Sequence, residues 1–142
     1  MKITYYELSE IFRARALIEL PHNSELFNYY CHSIGSVRLE DLLNILPVLM
    51  YIIIKRKEWQ SIRYLGDIIL CNISFMNNPS EGQILVEFMK PAEIQFFYNW
   101  LVAVRDMDFA RLAEDEYNSA FIFWGNAVNG LRGQVGMNRG PR

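Results

Sequence analysis

The sequence predicts an all-α fold of about seven helices, on three observations. Apolar residues recur at helical spacing along nearly the whole chain, and alternating strand-type runs are scarce. Helix-start and helix-stop residues punctuate the pattern, among them Thr4 with Glu7, Ser24, Pro91 and Asn129–Gly130. At 142 residues, 51% hydrophobic and 14% aromatic, the chain can bury one core without staples.

Each element has a local reason. Thr4 and Glu7 form a capping-box pattern that opens a helix over about Tyr5–Leu20, which Pro21 stops. Its apolar stripe is Leu8, Ile11, Phe12 and Ile18, with Arg15 at the edge. Ser24 caps a second helix, about Glu25–Ile34, with Gly35 as a left-handed stop. A third spans about Val37–Lys57, and Pro47 inside it predicts a kink or break near Leu46. A fourth covers about Glu58–Met76 and ends in Asn77–Asn78–Pro79. A short fifth covers about Glu81–Met89. Pro91 suits a first helical position, so the sixth is about Pro91–Arg105. Asp106 or Asp108 caps the seventh, about Phe109–Val128, which Asn129–Gly130 stops.

Residues 130–142 contain Gly130, Gly133, Gly136, Gly140 and Pro141, and are expected to leave the helix. The chain thus divides into a helical domain, 1–129, and a C-terminal tail, 130–142. Within the domain a long helix, "PHNSE", a short helix and a long helix are followed by a long helix, "NNPSE", a short helix and a longer one. The two Ser-Glu pairs lie 56 residues apart. This order resembles the three-helix units of armadillo- and HEAT-type repeats, and an irregular helical bundle fits it equally.

The formal charge is −2, but the tail carries three arginines and no acid, leaving −5 on residues 1–129. An acidic body argues against general binding to a phosphate backbone. The apolar run Leu42–Ile54 would span about 20 Å as a helix, short of a hydrocarbon core of roughly 30 Å. Asn44 and Pro47 interrupt it, so it reads as a central buried helix rather than a membrane insertion. The opening "MKITYYELSE" has no apolar signal-like segment. Cys31 and Cys71 have no metal-like spacing, and two reduced thiols suit a cytoplasmic protein.

Catalytic patterns are missing. There is no G-x-x-x-x-G-K-[ST], no H-E-x-x-H and no G-x-S-x-G, and the Gly130–Gly133–Gly136 series follows no strand. His22 sits in a Pro-His-Asn-Ser turn. His32 neighbours Cys31 on a different helix face and suits a helix-end dipole contact. The expectation is a non-enzyme without cofactor or metal. Lys55, Arg56, Lys57 and Arg63 form a basic cluster. Together with the arginines of the 130–142 tail it would serve a regulatory or nucleic-acid-associated alternative, or the cluster would simply stabilise the C-terminal end of the third helix.

The acidic cluster is Asp106, Asp108, Glu114, Asp115 and Glu116. Asp106 and Asp108 suit a helix N-terminus, whereas Glu114–Glu116 fall a turn or more inside the seventh helix. Arg111 can pair with Asp115 at i,i+4. On a helical wheel Ala113, Tyr117, Ala120 and Trp124 make the core face, with Glu116 at its rim. Ile122 and Phe123 fall outside it, so the second half is apolar all round, as in a helix buried on every side or touching a partner.

In size, acidic body and acidic run, the chain is similar to small single-domain bacterial immunity proteins of polymorphic toxin systems, including contact-dependent inhibition. The resemblance implies a protein-binding module that neutralises a toxin, such as a nuclease, by docking acids over a basic active site. Asp106, Asp108, Glu114, Asp115 and Glu116 would meet lysines and arginines of a basic toxin domain. Tyr117 and Phe123 would serve as aromatic anchors.

Overall fold

The computed structural model describes residues 1–56 and 62–138, with the side chains of 62, 63 and 133–138 outside the description. The described residues form an all-α fold of eight helices and two short 3-10 turns. The helices are α1 (Tyr5–Ile11), α2 (Ser24–Ser33), α3 (Leu42–Lys55), α4 (Ile62–Ser74), α5 (Pro79–Glu87), α6 (Pro91–Val104), α7 (Asp108–Leu112) and α8 (Glu114–Asn138).

Local signals fix several starts. The Thr4 hydroxyl accepts the Glu7 amide at 3.1 Å and the Glu7 carboxylate accepts the Thr4 amide at 3.0 Å, completing the capping box. Asn23, not Ser24, caps α2: its side chain accepts the Leu26 amide at 2.8 Å. Pro79 and Pro91 each occupy a first turn, where the missing amide has no intrahelical partner to lose.

Three predicted helices differ most in their bounds, and the predicted start of the fourth at Glu58 lies outside the described residues. The first ends at Ile11 instead of Leu20, because tertiary contacts capture the following segment. The Ile18 amide donates to the Asn44 carbonyl at 3.1 Å, and the Arg56 guanidinium donates to the Pro21 carbonyl at 2.6 Å. The third begins at Leu42, after 3-10 turns at Ile34–Ser36 and Leu39–Asp41. Gly35 is not left-handed, and α3 continues through Pro47. The seventh is two helices, and the second of them passes Gly130 and reaches Asn138. The expected tail therefore begins as helix.

Helix α3 is the centre of the core, with ten of its fourteen residues buried. No described helix is long and apolar enough to cross a membrane. Around α3 lie Leu65, Ile69, Leu70 and Ile73 of α4, and Phe96, Phe97, Trp100 and Leu101 of α6. Helix α8 packs along both α4 and α6 through Tyr117, Ala120, Trp124 and Val128, a helical stripe. An aromatic series crosses the body: Phe12 meets Phe97 at 6.4 Å, Phe97 meets Trp124 at 4.8 Å, and Trp124 meets Phe123 at 5.0 Å between ring centres. Both central indoles are satisfied, Trp100 Nε1 on the Met50 carbonyl and Trp124 Nε1 on the Ile73 carbonyl, each at 2.9 Å. The second bond occupies one of the carbonyls left open at the end of α4.

That end is strained. Phe75 follows α4 at φ 51°, a left-handed conformation that costs a non-glycine residue roughly 1–3 kcal/mol. Its ring packs on Phe123 at 5.1 Å, and the space exists because residue 82 is glycine. A Cβ on Gly82 would lie 2.6 Å from the Phe123 ring and 2.8 Å from Phe75.

Candidate functional site

The acidic run lies at the corner where α6 gives way to α7 and α8. Phe109 and Ala110 turn inward, Phe109 packing with its ring centre 6.0 Å from that of Trp100 and covering Gly66, whose missing Cβ would sit 2.3 Å from its ring. Their inward rotation pushes Arg111 and Leu112 outward. Leu112 is 64% exposed. Asp106, Asp108, Glu114 and Asp115 are exposed too. Residues 106–116 hold five carboxylates and one arginine, a net charge of −4.

The break at Ala113 changes the meaning of Glu114–Glu116. They are the first turn of α8 rather than a mid-helix run. There the open amides and the positive end of the dipole favour carboxylates. The break also separates the expected Arg111–Asp115 pair. Arg111 instead approaches Asp106 at 3.9 Å, a loose and fully solvated contact.

The other predicted site residues diverge. Glu116 is half-buried and lines a cleft of about 260 Å³ with Cys71, Asn72, Asn77 and Glu81. Burial, and then the charges of Glu116 and Asp67, push the Cys71 thiol upward, which suppresses its thiolate rather than activating it. Tyr117 is only 8% exposed, and its hydroxyl donates to the Leu101 carbonyl at 2.5 Å. Burial pushes its phenol up, against the neighbouring Arg105. Phe123 packs between Phe75 and Trp124. Tyr117 is thus buried in the fold and Phe123 partly buried against its core, and Ile122, 63% exposed, shows that α8 is not covered on every side.

Only part of the basic cluster lies within the described side chains. Arg56 is engaged with Pro21, Lys55 is exposed at the end of α3, and Lys57 and the Arg63 side chain lie outside the described residues. His22 and His32 are exposed. Among the described residues, no three or more His, Cys, Asp or Glu side chains are grouped as a metal site.

Two features have no signal in a single sequence. Arg15 holds Glu93 through two bonds, 2.9 and 2.8 Å, and also donates to the Phe88 carbonyl. Glu93 is wholly buried and accepts the Lys90 amide at 2.7 Å as well. The partners are 78 residues apart, and Glu93 alone reads as an ordinary first-turn acid. The second feature is an apolar groove of about 800 Å³ between α1 and α6, with Tyr6 and Val102 on its opposite walls. No protein-family model, curated protein or solved structure matches this chain.

Proposed function

We propose that the chain is a protein-binding module that docks on a basic partner through the α6–α7–α8 corner. One observation carries the reading: Leu112 stands 64% exposed among the exposed carboxylates of Asp106, Asp108, Glu114 and Asp115. Carboxylates around an apolar contact steer a basic surface into place, while the apolar contact slows its release. Leu112 replaces Tyr117 and Phe123 as the anchor. The role is of the immunity type, the corner covering the basic active site of a toxin domain such as a nuclease. Two free cysteines fit a reducing, cytoplasmic setting for it.

The test is affinity capture from the native host, followed by titration of the captured partner. The variants are D106N/D108N/E114Q/D115N and Leu112→Ala. The quadruple variant should bind at least about tenfold more weakly at low salt, with a smaller loss at high salt. Leu112→Ala should cost about tenfold at both. Equal binding by the quadruple variant at low salt would overturn the proposal.

A further inference from the structure

The cleft at the end of α4 contains a polar group that the fold does not use. Glu93 and Ser74 are the buried polar side chains of the described core. Glu93 is held by Arg15 and the Lys90 amide. Ser74 is 6% exposed, and its hydroxyl bonds to no described residue. Ser33 ends α2 as Ser74 ends α4, yet the Ser33 hydroxyl donates to the Tyr29 carbonyl at 2.8 Å. A buried hydroxyl is costly to leave without a partner, so one that persists in that state needs a reason. The open space beside Ser74 is the cleft of about 260 Å³ that it lines with Glu116.

The lining selects a cation. The Asn72 side-chain amide donates to the Ile68 carbonyl at 2.8 Å, which commits its nitrogen and leaves its oxygen as an acceptor. Glu81 and Glu116 add two carboxylates. Among the described residues, no lysine, arginine or histidine lines the cleft. After burial, the charge of Glu116 is what pushes the Cys71 thiol up, so the cleft is negative. Leu42, Phe75 and Met76 make the rest of the wall apolar. An alkylguanidinium suits both halves. It brings five N–H donors, sheds water more readily than an ammonium, and lays a planar cation on an aromatic ring. The volume, just below the roughly 300 Å³ at which pockets for larger ligands begin, suits a group of that size.

We propose that the cleft between the end of α4 and the first turns of α5 and α8 binds an alkylguanidinium, with Glu81 and Glu116 meeting its charge and Ser74 and Asn72 accepting its other N–H groups. The guanidinium arrives on a free small molecule or on an arginine side chain. The inference is independent of the acidic corner, since none of residues 106–115 lines the cleft.

The test is a titration of the isotope-labelled full chain with agmatine and with N-acetyl-arginine-N-methylamide, followed by amide NMR in about 0.15 M salt. Shifts at Asn72, Ser74, Phe75, Glu81 and Glu116 should saturate with a Kd of about 5 mM or tighter. n-Butylammonium should bind at least about fivefold more weakly. E81Q/E116Q should weaken guanidinium binding about tenfold or more. Ser74→Ala should weaken it about threefold or more, yet unfold at an unchanged or higher urea midpoint, because the lost hydroxyl has no partner in the fold. A serine kept for the fold would do the reverse. Far-UV circular dichroism checks that both variants keep their helices. Agmatine bound more tightly than the capped arginine assigns a free ligand, and the opposite or equal result assigns a side chain. No saturable shift at these residues up to about 20 mM overturns the proposal. So does butylammonium binding as tight as agmatine, or guanidinium binding unchanged in E81Q/E116Q or in Ser74→Ala.

Discussion

Arg15 and Glu93 show how one side-chain pair can override a sequence pattern. Leu17, Ile18 and Leu20 continue an apolar run that invites a helix to Leu20. The Arg15 guanidinium instead reaches the buried Glu93 carboxylate, and the chain leaves the helix after Ile11. Burial of the carboxylate makes the pair unequal. Removing Arg15 strands a charge with only the Lys90 amide for company. Arg15→Ala should therefore destabilise the fold by about 3 kcal/mol, as broken buried pairs do. Arg15→Met with Glu93→Gln should cost clearly less than Arg15→Met alone, since no charge is then left in the interior. Urea unfolding midpoints for the three variants and the parent decide this. Equal losses in the single and double Met variants would mean that water reaches Glu93 once Arg15 is gone.

At the scale of an element, α8 explains the acids better than the sequence does. The all-α class, the Thr4 cap, the Pro91 start and the Tyr117–Ala120–Trp124 core face are all legible, because each rests on local chemistry or helical period. Pro79, read as part of the fourth helix's stop, instead opens α5. The break at Ala113 is not. It depends on Phe109 seating over Gly66, a contact between residues far apart in sequence. Missing that break places Glu114–Glu116 inside a helix and makes them look unexplained. Gly130 misleads in the opposite sense: an added Cβ there would meet nothing within 4 Å, and α8 passes through. As first-turn acids, Glu114, Asp115 and Glu116 should contribute to stability. The E114Q/D115N/E116Q variant should unfold about 1 kcal/mol more easily at low ionic strength, and the difference should shrink in about 1 M salt. Thermal melts at the two ionic strengths measure it. A salt-independent difference would assign the acids a contact role other than the helix dipole.

The whole molecule is tied through α3 and through the aromatic series from Phe12 to Phe75, which links the beginning of the chain to α4, α6 and α8. A body so connected should unfold as one cooperative unit. Cys31 reports on that unit. It is 3% exposed on α2, and burial pushes its thiol up to about 11. An unfolded thiol titrates near about 8.5, so the folded value lies above the unfolded one. Its contribution is then complete below about pH 8.5 and is lost as pH rises toward 11, because the unfolded chain deprotonates first. Tyr117 and the Cys71 thiol shift in the same direction, so a comparison between proteins is needed to isolate the Cys31 thiol. Cys31→Ala removes that thiol and leaves Tyr117 and Cys71 in place. It should be the less stable protein at pH 7.5, from lost packing, and should show the flatter pH profile. Between pH 7.5 and 10 the parent should lose about 1–2 kcal/mol more than the variant, measured by urea unfolding at each pH. Parallel profiles would mean that the Cys31 thiolate forms as readily in the folded chain as in the unfolded one, and that α2 opens without the rest of the body.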